Sequence, residues 1–199
     1  MRLVMLALAL ASAQNNAEGL VQRMAAVNPN LQTYTASLHV AVAMHSMPFL
    51  SSALDGNYYF RKPDKQAVVF DTVPVIAQQF QKVYPKIDPP ASWPQLYDIS
   101  TLSQSASTTT LRLTPKHPGR VTHLDVDVDN ETAMPAAFKW TYIDGGTISF
   151  DQAYERVSGN LLVKSQNGKV ELPSYSADVT TTFSNFKVNV GVPDSVFGS

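Results

Sequence analysis

The chain contains no cysteine among its 199 residues. That excludes a disulfide framework, a thiolate metal site and a cysteine nucleophile. It also excludes a lipidated cysteine, so an exported form would carry no such anchor and would be freely soluble. Runs of lysine and arginine are missing too, and the formal net charge is −1. A polyanion would release few counterions on meeting such a surface, so nucleic acid is not an expected partner. Apolar runs are short, and none approaches the ~20 residues of a membrane-spanning helix. Phosphate loops, nucleophile elbows and zinc-helix motifs are absent from the sequence. Catalysis has no support there, and no cofactor is expected.

What is present begins with an address. Met1-Arg2 supplies positive charge, Leu3 to Ala11 is a short apolar stretch, and Ala11-Ser12-Ala13 has the small-x-small pattern of a cleavage site. These features predict a signal peptide over residues 1–13, cut after Ala13, and a periplasmic or otherwise exported product. The remaining 14–199 has the length of one domain, and an apolar fraction of 44% suits a folded one.

Asn16 can cap a helix over Ala17–Val27, with Leu20, Met24 and Val27 on one face and Asn28-Pro29 as its stop. From Leu31 the apolar period becomes two, which predicts a long strand. Further strands are expected at Leu54–Lys62 and Gln66–Phe70; the unbroken Ala67-Val68-Val69-Phe70 suggests that the latter is buried on both sides. Pro74–Tyr84 reads as a second helix carrying Ile76, Phe80 and Val83 as a stripe. Pro85–Ser107 reads as irregular, with a turn of helix around Pro94–Ile99. Strands then follow at Thr108–Thr114, Arg120–Val128, Ala136–Ile143, Thr147–Val157, Leu161–Ser165 and Tyr175–Val190, the last broken near Ser184. Turn signals separate them, including Asp144-Gly145-Gly146, Ser158-Gly159-Asn160 and Asn167-Gly168. The expected fold is mainly β with helices: one antiparallel, curled and unclosed sheet of about nine strands, a half-barrel covered by two or three lid helices.

The apolar phase of these strands collects Leu38, Val40, Val42, Tyr58, Phe60, Leu111, Leu113, Phe138, Trp140 and Phe150 on one face. A sheet that curls around such a face can enclose a cavity. Period alone is met equally well by a packed core. Elsewhere, Asp125, Asp127, Asp129 and Asn130 imitate the start of a calcium loop. Asn130 and Ala136 occupy the positions where that loop needs glycine and glutamate, so no metal site is expected. His39 and His45 share a strand face but lie about 20 Å apart, too far to chelate one ion.

Several stretches carry a family resemblance. They are Leu31-Gln32-Thr33-Tyr34-Thr35-Ala36-Ser37-Leu38, Gly56-Asn57-Tyr58-Tyr59-Phe60-Arg61-Lys62-Pro63-Asp64 and Leu111-Arg112-Leu113-Thr114-Pro115-Lys116, with Phe183–Asn189 and Pro193–Phe197 near the end. Together they resemble the LolA-type lipoprotein carriers of Gram-negative envelopes and the wider superfamily of lipoprotein-sorting proteins. The resemblance implies a monomeric carrier that takes acyl chains of a lipid or lipoprotein into its cavity. It would receive cargo from an inner-membrane transporter and deliver it to an outer-membrane acceptor. The ten apolar residues named above are then the cavity candidates. In the carriers an arginine before the proline latches the helical lid. Here Lys62 stands at that position with Arg61 beside it, and a lysine lacks the planar fork of arginine. Ile76, Phe80 and Val83 are the lid candidates, filling the hollow when it is empty. Competition of that kind is needed, because acyl burial contributes ~0.8 kcal/mol per methylene and an unopposed carrier would not release its load. Two other readings of the same residues are a lipid- or lipoprotein-sensing regulatory module and a structural envelope protein with a filled core.

Overall fold

A computed structural model of the chain describes residues 16–45, 51–72 and 87–198. The expected signal peptide and the expected helix Pro74–Tyr84, with Ile76, Phe80 and Val83, lie outside the described residues.

Helix α1 covers residues 16–26. It buries Ala17, Leu20, Val21 and Met24 at helical spacing and leaves the other side to solvent. Asn28, at a φ of 58°, turns the chain out of it in the left-handed region, where asparagine is tolerated. The strands are β1 Thr33–Met44, β2 Ser52–Arg61, β3 Lys65–Phe70, β4 Tyr97–Gln104, β5 Thr108–Pro115, β6 Val121–Asp129, β7 Pro135–Tyr142, β8 Thr147–Val157, β9 Asn160–Leu172 and β10 Tyr175–Val188. A 3-10 turn Pro90–Ser92 leads into a single helical turn, α2, at Trp93–Leu96, and a second 3-10 turn, Asp194–Phe197, follows β10.

These ten strands make one sheet in the order β3-β2-β1-β10-β9-β8-β7-β6-β5-β4. The sheet does not close, so β3 and β4 are its edges. The mainly β fold on one unclosed antiparallel sheet is as the pattern of apolar residues implied.

The chain divides into two compact units. One comprises Met1–Val27, Pro89–Asp151 and Glu171–Ser174; the other comprises Asn28–Asp88, Gln152–Val170 and Tyr175–Ser199. In the first unit, residues paired across strands line up as transverse rows on one face. Leu111, Val126, Phe138 and Phe150 form one row, and Leu113, Leu124, Trp140 and Ile148 form the next. The alternate phase is polar: Arg112 sits opposite Asp125, and Asp125 opposite Lys139. In the second unit, Tyr34 pairs with Phe60 and Val188, while Leu38 pairs with Gly56 and Phe183.

Four details differ from the sequence expectation. Strand β3 is an edge strand, and Val68 and Val69 are 43% and 44% exposed, so it is not buried on both sides. Its apolar run reflects β propensity, while its place at the margin leaves one side uncovered. Strand β4 occupies part of the stretch read as irregular. Its alternation of Tyr97, Ile99 and Thr101 with Asp98 and Ser100 is that of a polar edge strand, diluted by nearby serine and proline. Asn167-Gly168 makes no turn: β9 runs through it, and the reversal falls at Pro173-Ser174 instead. Finally, β10 is not broken near Ser184. It slips register there, with Asn185 at a φ of 54°, so that Phe183 and Phe186 both pack inward.

Two glycines are required by geometry. Gly159 (φ 81°), with Ser158 at φ 48°, forms the two-residue reversal between β8 and β9. A Cβ on Gly56 would stand 2.5 Å from the Val69 carbonyl oxygen and 2.9 Å from Phe70 Cα, so only glycine admits β3 at its present distance.

Candidate functional site

The ten cavity candidates fall into two groups. Leu111, Leu113, Phe138, Trp140 and Phe150 come together on the rows of the first unit and are 0%, 0%, 2%, 4% and 2% exposed. The Phe138 and Trp140 rings stack at 5.5 Å, and Phe150 meets Trp140 edge-on at 5.7 Å. Such low exposure means that protein atoms surround them closely.

Leu38, Val40, Val42, Tyr58 and Phe60 lie on β1 and β2 in the second unit, and all but Leu38 are only partly buried. Here the inner face is aromatic. Tyr34 contacts Tyr58 at 5.4 Å and Phe60 at 5.3 Å between ring centroids, and Phe183 meets Tyr58 edge-on at 5.6 Å. Leu31, Tyr34 and Leu162 form a buried cluster beneath Tyr58, Phe60 and Phe186. A second buried cluster, Ala36, Leu38 and Phe183, packs against Val40, Val163 and Phe70.

Tyrosine hydroxyls enter this apolar surround. Tyr58 donates to Gln66 Oε1 at 3.1 Å, and Gln152 Nε2 donates to the Tyr154 oxygen at 2.8 Å. Gln166 Nε2 in turn donates to Gln152 Oε1 at 2.6 Å. Burial pushes the Tyr34 phenol well above its usual range, with the neighbouring Tyr58 adding to the effect. Burial likewise raises Tyr58 to about 12 and Tyr154 higher still. All three are neutral hydrogen-bonding groups at any physiological pH.

The latch candidates are both engaged. Lys62 Nζ donates to the carbonyls of Asn28 at 3.0 Å and Pro29 at 3.2 Å, in the connection between α1 and β1. The same connection is held from two other sides. The Asn28 side chain both donates to the Leu161 carbonyl and accepts its N–H, each at 2.8 Å. Asn189 Oδ1 accepts the Gln32 N–H at 2.8 Å, while its amide donates to the Asn30 carbonyl at 3.0 Å. Sequence reading missed these two asparagines. Their positive φ and clamp geometry depend on strands more than 130 residues away, and Asn28-Pro29 looked only like a stop signal. Arg61 points elsewhere: it donates to the Asp194 carboxylate and the Val192 carbonyl and lies over the Phe197 ring at 5.0 Å. That contact holds the Asp194 carboxyl below the usual range.

The three aspartates resembling a calcium loop are engaged by protein. Arg112 grips Asp125 through two bonds of 2.7 Å, Thr110 donates to Asp127 at 2.6 Å, and Thr132 donates to Asp129 from both its amide and its hydroxyl at 2.7 Å. The Thr132 bonds lower the Asp129 carboxyl. One further concavity was invisible in the sequence: an open, mostly apolar groove of about 390 Å³ lined by Val21, Gln22, Ala25 and Ala26 of α1 with Pro90, Ala91 and Pro94. Among the described residues, no helix is long and apolar enough to cross a membrane.

Neither protein-family models nor curated proteins match the sequence. Solved structures do match. A putative outer membrane lipoprotein-sorting protein domain from Vibrio parahaemolyticus superposes with a TM-score of 0.72 at 11% identity, over 93% of this chain and 97% of that one. A DUF1329 family protein from Desulfovibrio piger gives 0.70 at 14% identity over 93% and 97%. A LolA superfamily protein from Nitrosomonas europaea gives 0.64 at 10% identity over 92% and 97%. At such identities the likeness is one of fold.

Proposed function

We propose, from a chain with a LolA-type fold, that it is an exported, non-catalytic carrier that binds acyl chains of a lipid or lipoprotein and moves them between envelope membranes. One observation carries the reading. In the second unit, the apolar phase of β1 and β2 presents Val40, Val42, Tyr58 and Phe60 only partly buried, whereas the rows of the first unit are filled. A partly covered aromatic and aliphatic face is what a long acyl chain requires, at ~0.8 kcal/mol per methylene transferred.

On this reading Lys62 serves the latch position by pinning the α1–β1 connection through Asn28 and Pro29 carbonyls. An ammonium binds carbonyls as a point charge, so the pin is less geometry-dependent than a guanidinium fork. Arg61 is committed to the C-terminal segment. The signal peptide over residues 1–13 accounts for export, and a membrane transporter and acceptor supply and receive the cargo.

The test is native mass spectrometry of protein purified from its own host, together with uptake of the neutral probe N-phenyl-1-naphthylamine. Co-purified lipid and saturable probe fluorescence are expected. Protein that is empty and takes up no probe overturns the carrier. N-terminal sequencing of the same sample should begin at Gln14; an intact Met1 would remove the export step.

A further inference from the structure

Strands β3 and β4 bound the sheet, and the two margins are built differently. Strand β4 slips register against β5 between Thr101 and Ser103, an irregularity of the kind that discourages pairing at an edge. Strand β3 pairs with β2 without a slip, and its stretch Gln66–Phe70 carries neither charge nor proline. Among the described residues, no strand lies on its other side. Val68 and Val69 are 43% and 44% exposed.

The ladder with β2 fixes which backbone groups face outward. Asp71 N–H donates to the Asp55 carbonyl at 3.0 Å, so Asp55 and Asp71 form a hydrogen-bonded pair of the antiparallel type. Such pairs recur at every second residue, and Val69, Ala67 and Lys65 therefore also turn their backbone groups toward β2. Gln66, Val68 and Phe70 turn theirs away from the sheet. The side chains of Lys65, Ala67, Val69 and Asp71 share the face that carries Arg61, which lies opposite Lys65. Lys65 is exposed, with its Nζ 5.9 Å above the Phe197 ring, and Asp71 is exposed as well.

We propose that this margin pairs with a second copy of itself, β3 against β3, antiparallel about a two-fold axis at Val68. In that alignment Val68 meets Val68 and Gln66 meets Phe70 of the second copy. Every outward-turned N–H and carbonyl of the strand then finds a partner. The same alignment sets Lys65 opposite Asp71 of the second copy, in the non-hydrogen-bonded kind of pair whose side chains lie closer, and symmetry repeats the contact. Moving the alignment by one residue would set outward-turned groups against groups that already serve β2. Moving it by two would part Lys65 from its acidic partner. Backbone phase and charge thus select one register. The contact is short, below the ~1,200 Å² of a standard interface, so the dimer is a weak one that depends on concentration. The carrier reading asks for no second copy, and the two stand or fall separately.

The experiment is sedimentation equilibrium of the full chain from about 5 to 500 μM, a range that brackets a weak complex. A monomer–dimer equilibrium is expected. Lys65→Glu and Asp71→Lys each set like charges opposite one another and should weaken the dimer about tenfold. Mixed in equal amounts, the two variants present opposite charges across the contact, and mixed dimers should form at about the unaltered strength. No change confined to one copy produces that recovery. Val68→Pro removes an N–H that β2 does not use, so it should abolish the dimer and leave the melting temperature nearly unchanged. The amides of Gln66, Val68 and Phe70 should exchange fast in dilute protein and slowly in concentrated protein. A chain that stays monomeric throughout overturns the proposal. Slow exchange of those amides in dilute protein also overturns it, because the margin would then be covered within one copy. A dimer that survives all three substitutions forms elsewhere and overturns the assignment to β3. Weakened variants that do not recover on mixing overturn the register.

Discussion

Replacing one phenylalanine in each unit should separate filled core from binding surface. Phe138 is 2% exposed, lies between Val126 and Phe150 in its row and stacks on Trp140. Phe138→Ala removes a full ring from a close-packed site and leaves a cavity, a change that costs about 3–5 kcal/mol. For a protein of this length each kcal/mol lowers the melting temperature by roughly 2–4 °C. The expected fall is therefore on the order of 6–20 °C. Phe60 is partly buried, packed on Tyr34 but open on another side. It loses less area on truncation, and its neighbours can relax, so Phe60→Ala should cost about half as much or less. The order reverses for ligand. Probe affinity should fall several-fold in Phe60→Ala and stay unchanged in folded Phe138→Ala. Urea unfolding by tryptophan fluorescence gives the first quantity and N-phenyl-1-naphthylamine titration the second. If Phe60→Ala is as destabilising as Phe138→Ala and binds the probe normally, the second unit is also a plain core, and the argument from partial burial is wrong.

Other outcomes follow from single contacts. Gly56→Ala should destabilise by about 1–3 kcal/mol, because its Cβ would meet the Val69 carbonyl at 2.5 Å; faster hydrogen exchange confined to β2 and β3 is the signature. Asn28→Ala loses both bonds to Leu161 and places alanine at a φ of 58°, so it should cost about 2–3 kcal/mol; Asn28→Gly should recover the backbone part, seen as a smaller shift in urea midpoint. Tyr34, Tyr58 and Tyr154 have folded pKa values above the unfolded value near 10, so their contribution is complete below that pH and disappears as pH rises through the folded values. Ultraviolet titration should therefore show these three phenols ionising late, together with base unfolding; their ionisation near pH 10 with the fold intact would refute the desolvation of their hydroxyls. Asp129 runs the other way: its carboxyl is depressed, so its contribution is present above the unfolded value near 4 and is lost as pH falls through the folded one. Thr132→Val should flatten that acid limb in urea midpoints measured from pH 5 downward.

Period-two alternation was enough to place most strands, because each has one face on protein and one toward water. The phase of β1, with Tyr34, Ala36, Leu38 and Met44 buried, follows directly from it. Turn chemistry was legible where the conformation itself demands it, as at Ser158-Gly159. It misled at Asn167-Gly168, where the pairing of a long strand outweighs a local turn preference. Edge position was illegible: the same Val68-Val69 would suit a central strand, and only neighbours decide how much of it is covered.

The residues alone determined a cysteine-free, mainly β chain with an apolar strand face, since side-chain period and composition are local properties. They also supplied the resemblance to lipoprotein-sorting proteins. Tertiary structure decided which parts of that face are filled and which stay partly open, because coverage depends on what packs there from distant segments. It also decided that Asn28 and Asn189 clamp the connection after α1, that charged groups on β1, β2, β3 and β10 face outward together, and that the phenol groups of Tyr34, Tyr58 and Tyr154 are desolvated. Those facts depend on register between strands far apart in the chain, and a one-residue slip would have reversed every one of the faces.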